Sequence, residues 1–173
     1  MKTKDMACLL LYVLLLVSCT RAVSDSIPIG ERELPDMVMK NAAYTMARGS
    51  DEPVVMQASL ITVYKGNRDT ELEKVTFRRG EDLSGYADFA KVDPEGSRAE
   101  LSGNVRLEKT GEETMTIQAQ NLVWNNEDNS VLCEGEVFVT YGDGTSIRAV
   151  GFSGLPDDNR YEFSTILEGN LEE

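Results

Sequence analysis

The chain has 173 residues and a formal net charge of −13, with 30 acidic side chains set against 17 basic ones and no histidine. Such acidity argues against a surface built for nucleic acid or an anionic bilayer, since either needs a basic patch that releases counterions. Without histidine, every mechanism that uses an imidazole base or ligand is excluded.

A targeting segment opens the chain. Lys2 and Lys4 precede an unbroken apolar run from Ala7 to Val17. That run falls short of the roughly 20 residues a membrane-spanning helix requires, so it reads as the core of a signal peptide. Residues 20–35 are polar, interrupted by Pro28, Gly30 and Pro35, and without period. They read as a linker that reaches up to about 50 Å when extended. The expected organisation is a signal peptide over 1–18, a linker over 19–35 and one domain over 36–173.

From Asp36 to Ala47 the pattern suits a short helix or a first strand, and an edge strand is the preferred reading. Val54 to Tyr64 is rich in β-branched residues and reads as a strand, turned by Lys65-Gly-Asn-Arg-Asp69. Leu72 to Phe77 follows with Val75 and Phe77 on one face, then Gly85 to Val92. Arg98 to Glu108 places Leu101, Gly103, Val105 and Leu107 inward, with Arg106 and Glu108 outward. In Thr114 to Trp124, Met115, Ile117, Ala119 and Val123 line the same side. Val131, Cys133, Gly135, Val137, Val139 and Tyr141 share the next apolar face. Gly142-Asp143-Gly144 makes a tight hairpin into Thr145 to Phe152, and Tyr161 to Leu171 is the last strand.

Three segments repeat a pattern: Leu101-Ser-Gly-Asn-Val105, Leu132-Cys-Glu-Gly-Glu-Val137 and Leu167-Glu-Gly-Asn-Leu171. A glycine inside a strand marks a bulge or a close backbone approach, so one kink per repeat is expected at Gly103, Gly135 and Gly169. The fold class is all-β, an open antiparallel jelly roll or sandwich of about a dozen strands. Its inward set comprises Val54, Met56, Ala58, Leu60, Leu101, Val105, Leu107, Met115, Ile117, Val137, Val139, Ile147, Phe163 and Leu167.

Little in the chain suits catalysis, a cofactor or a metal. Gly151-Phe-Ser153-Gly154 is not a nucleophile elbow, and no Gly-x-x-x-x-Gly-Lys loop is present. Asp157-Asp158 and Glu127-Asp128 are adjacent carboxylates in turns and read as solvated charges. Arg78-Arg79 reads as a surface turn, with contact to a lipid phosphate as the alternative. Trp124 and Phe152 read as core, with a place at a groove rim as the alternative. Cys133 is expected as a small buried hydrophobe.

The run Tyr86-Ala-Asp-Phe-Ala followed by Ala99-Glu-Leu-Ser-Gly-Asn-Val-Arg-Leu107 resembles the OstA-type repeat of the periplasmic lipopolysaccharide-export proteins LptA and LptC. Thr116 to Trp124 with Glu134-Gly-Glu-Val-Phe-Val139 is similar to the same repeat, and the ending from Gly144 to Leu171 most resembles the LptC family. The resemblance implies a twisted jelly roll whose interior holds the acyl chains of lipopolysaccharide or a similar glycolipid. It implies Leu101, Val105, Leu107, Met115, Ile117, Val137, Val139, Ile147 and Phe163 as groove residues. The C-terminal edge, with Ile166, Leu167, Gly169 and Leu171, would pair with an LptA-like protein, and an inner-membrane ABC transporter of LptB, LptF and LptG type would supply the cargo. Leu16-Val17-Ser18-Cys19 resembles the lipobox of bacterial lipoproteins, which implies lipidation of Cys19 and a membrane anchor in place of the helix many LptC proteins carry. A structural lipoprotein with a closed β sandwich and a protein partner is the rival reading.

Overall fold

Alternating apolar and polar residues, punctuated by Gly, Asn and Asp turns, form nine strands: β1 (Met37–Met46), β2 (Val54–Val63), β3 (Thr70–Arg79), β4 (Leu83–Val92), β5 (Arg98–Lys109), β6 (Met115–Asn125), β7 (Ser130–Tyr141), β8 (Ser146–Leu155) and β9 (Arg160–Asn170). A 3-10 turn over Pro156–Asp158 joins the last two. The computed structural model describes residues 34–47, 52–66, 68–111 and 114–170, so the expected signal peptide, most of the expected linker with Cys19, and Leu171 lie outside the described residues. Each strand pairs antiparallel with its neighbours in sequence, giving one meander sheet with β1 and β9 at its edges. The expected edge strand over 36–47 is present as β1, and the count among the described residues is nine rather than a dozen. The reason is length. Strands such as β5 and β7 run unbroken for 12 residues through the glycine kinks, so each bent strand uses chain that two shorter ones would have taken.

A crease crosses the sheet halfway along the strands. In β2, β3, β4, β6 and β8 the buried residues step by two along each half but by three in the middle, from Ala58 to Ile61, Leu72 to Val75, Ala87 to Ala90, Ile117 through Ala119 to Leu122, and Ala149 to Phe152. In β5 and β7 the step is four, from Leu101 to Val105 and Cys133 to Val137. Those two strands carry the extra residue of a bulge, seen as register shifts between Ser102 and Val105 and between Cys133 and Glu136. Several residues on the line have positive φ: Asn41 at 49°, Lys74 at 50°, Gly103 at 73° and Gly151 at 75°. The expected kinks at Gly103 and Gly135 are therefore bulges. In β9 the shift falls at Leu167, the unpaired residue between Ile166 and Glu168, and Gly169 stays in register with Ile147.

Crossing the crease changes which parity faces inward. Leu60 is half-buried while Ile61 is fully buried, and Val123 gives way to Leu122 and Trp124. Gly135 is exposed at the bulge rather than sharing the face of Cys133 and Val137, and Leu167 is exposed.

The two rims of the sheet meet. One carries the β3–β4, β5–β6 and β7–β8 connections, the other the β4–β5, β6–β7 and β8–β9 connections. A flat ten-residue strand would hold them about 33 Å apart. Yet Arg79, at the end of β3 on the first rim, contacts Asp157 on the second at 2.5 Å. Tyr44, towards the first-rim end of β1, lies beside the β4–β5 turn, where burial and then the Asp93 charge raise its hydroxyl pKa. The sheet is folded back along its crease, and the facing halves enclose one apolar core from Met46 to Phe152. Burial of each large side chain there stabilises the fold by about 1.5–3 kcal/mol.

Candidate functional site

The inner face of the folded sheet gathers seven of the nine groove candidates into one packed layer. Leu101, Val105, Leu107, Met115, Ile117, Val137 and Val139 are each 3% exposed or less, and Ile147 and Phe163 pack against them half-buried. Trp124 and Phe152 belong to this core, and Phe152 stacks on Tyr161 at 6.0 Å and meets Phe163 at 5.5 Å. Cys133 is buried, and burial raises its thiol pKa.

The same face loses its cover towards the edge strands. Ile166 pairs with Ala149, so both side chains point inward, yet Ala149 is fully buried and Ile166 is 60% exposed. At the other edge Met37 pairs with Val63, a residue packed on the core, and is 50% exposed. The apolar lining thus runs from one edge strand to the other and emerges at each. From Ser164 to Asn170 every residue of β9 is exposed, and among the described residues its outer backbone edge has no strand partner.

Where the rims meet, the contacts are polar. Arg79 donates from Nη1 to Asp157 Oδ1 at 2.5 Å and from Nη2 to Oδ2 at 3.0 Å. Asn129 donates to Asp157 Oδ2 at 3.2 Å. Lys109, the inward residue that ends β5, donates to the Pro156 carbonyl and to Asn159 Oδ1. Hydrogen bonds from Arg79 hold the Asp157 carboxyl below its ordinary value against the opposing effect of burial. Asp157 keeps the exposed turn position expected of it, its side chain 49% exposed, and in addition pairs with Arg79, which lies in the seam rather than on a surface turn; Asp158 stays exposed. The sequence reading missed Lys109, although a lysine in phase with Leu101, Val105 and Leu107 is an inward charge that demands a partner.

A second knot ties neighbouring turns together. Asp93 accepts from the Ser97 amide at 2.7 Å and the Arg98 amide at 3.0 Å. Burial pushes its carboxyl up, and bonds from Ser97, Arg98 and Gly96 outweigh that, leaving it below the ordinary range. Buried Asn126 donates from Nδ2 to the Gly96 carbonyl at 3.2 Å. The outer face carries open grooves, one lined by Val55, Phe77 and Tyr86 together with Gln57, Arg78 and Arg106, so apolar and charged groups are mixed there.

One creased antiparallel sheet folded over an apolar core, with β1 and β9 as edges that take no further strand among the described residues, defines a β-trough protein. The chain belongs to the family described as lipopolysaccharide-assembly, LptC-related, which matches residues 6–172. Among solved structures it is similar to LptH of Pseudomonas aeruginosa, described as the LptA-homologous periplasmic component of the conserved lipopolysaccharide transport device. The TM-score is 0.60 at 10% identity, over 70% of this chain and 96% of that one, a likeness of fold. No curated protein sequence matches the chain.

Proposed function

We propose that this protein is a non-enzymatic carrier in periplasmic lipopolysaccharide transport. It would take lipid from an inner-membrane ABC transporter and pass it to an LptA-like protein. The observation that carries the reading is an apolar inner face that is continuous across the sheet and surfaces at both edge strands, beside Met37 and Ile166. Buried methylene groups gain about 0.8 kcal/mol each, so acyl chains can replace the contacts that the two facing halves now make with one another. The free edge of β9 is suited to accept a strand through main-chain bonds, with Ile166, Leu167, Gly169 and Leu171 as the docking segment. Cys19 would carry the lipid that tethers the domain to the membrane through the 19–35 linker, the inner membrane being the natural site for a receiver. No metal or cofactor is called for, and the transporter's ATP hydrolysis supplies the energy.

The test is a photoreactive residue at Val105 in membranes that contain the transporter. Lipid adducts should form with ATP and be lost without it. A protein partner captured with no lipid at any inward position would favour the rival structural role.

A further inference from the structure

The inner face is shut along the middle of the trough, where Val131 and Val139 are fully buried and Leu107 and Ile117 are 1% exposed. A lipid with several acyl chains reaches that face when the seam between the rims parts. Parting exposes apolar surface that the acyl chains cover again, so the apolar terms of the closed and loaded states largely offset each other. What the lipid tails cannot replace are the polar contacts of the seam. Arg79 grips Asp157 through two bonds, and Lys109, buried on the inner face, is satisfied by the Pro156 carbonyl and Asn159. These partners come from opposite rims, 78 residues apart for Arg79 and Asp157 and 47 and 50 apart for the lysine contacts. They constrain the fold across the seam, whereas strand pairing holds neighbours together in either state.

We infer that Arg79 and Lys109, gripping the 3-10 turn Pro156–Asp158 and its cap Asn159, form a clasp that sets how readily the trough opens along its side to admit lipid. Admission of lipid rests on the carrier reading above; the clasp itself does not. Releasing it lets the β8–β9 turn swing from the ends of β3 and β5 while the sheet stays paired.

The experiment compares the full chain with its Asp157→Asn and Lys109→Met variants, using Asp158→Asn as the control at the neighbouring exposed carboxylate. Hydrogen exchange reads the clasp. The amides of Asn159 and Thr110, bonded to the Pro156 and Asp82 carbonyls beside the clasp, should exchange roughly fivefold faster in both clasp variants and unchanged in the control. A photoreactive residue at Val139 reads admission, with lipopolysaccharide micelles as donor, and its initial labelling rate should rise by a similar factor. Unchanged exchange in both clasp variants overturns the clasp. Faster exchange with unchanged labelling overturns its role in admission. Absence of labelling in every form, wild type included, counts against the carrier reading instead, and exchange still decides the clasp.

Discussion

Asn104 donates from Nδ2 to Oδ2 of Asp88 at 2.7 Å, bracing β5 against β4 at the crease. Tyr86 donates to the other oxygen of the same carboxylate at 2.7 Å. Gly103 sits against this brace with φ of 73°, and a Cβ there would come within 2.8 Å of Asp88 Oδ2. Gly103→Ala should therefore destabilise the domain by about 2 kcal/mol, from backbone strain and crowding together. Gly135, at the equivalent bulge in β7, has nothing within 4 Å of an added Cβ. Gly135→Ala should cost less than about 0.5 kcal/mol in the same urea titration, and equal losses would refute this account of the crease.

The step of three through the crease predicts unequal costs for residues of similar chemistry. Ile117, 1% exposed, should lose about 2–5 kcal/mol on truncation to alanine. Leu60, half-buried on the other side of its strand, should lose less than half as much. Denaturant midpoints with unchanged slopes check this pair.

At the far edge, stability and partnership should separate. Ile166 is 60% exposed, so Ile166→Asp should change stability by no more than about 0.5 kcal/mol. It should nonetheless weaken capture of a β-bridge partner in pull-downs, because a charge enters the mouth of the apolar lining. Undiminished capture would remove β9 as the docking edge.

Acid should loosen the seam. Asp157 faces Arg79, Lys109 and Asn129, with Glu52 and Asp82 also near the guanidinium, and its pKa is lowered chiefly by the Arg79 hydrogen bonds. A depressed carboxylate stabilises fully above its unfolded pKa of about 3.9 and loses that contribution as pH falls through the folded value. The stability gap between wild type and Asp157→Asn should be constant near neutrality and close below about pH 3.9. A gap that persists in strong acid would show that the charge of Asp157 is not its source.

The hairpins, the glycine bulges of β5 and β7 and the apolar set were legible because alternation and turn chemistry are local. The phase change was not. Where the crease passes through Ser59 and Leu60, or through Lys74 at φ 50°, composition carries no mark of it, so Leu60 and Val123 read as inward when the true inward residues are Ile61 and Leu122. The seam lay beyond reach for another reason. Asp157 in a polar turn looks solvated until folding brings Arg79, 78 residues away, against it. Lys109 was the readable exception, since its inward phase already asked for a partner.

The alternation of faces in β7 offers the most direct measurement of whether the folded sheet carries lipid inside. Val139 is fully buried on the inner face and its neighbour Phe138 is 42% exposed on the outer one. With a photoreactive residue placed at each position in turn during active transport, Val139 should capture lipopolysaccharide and Phe138 should not. Equal capture at both, or capture at Phe138 alone, would contradict passage along the inner face.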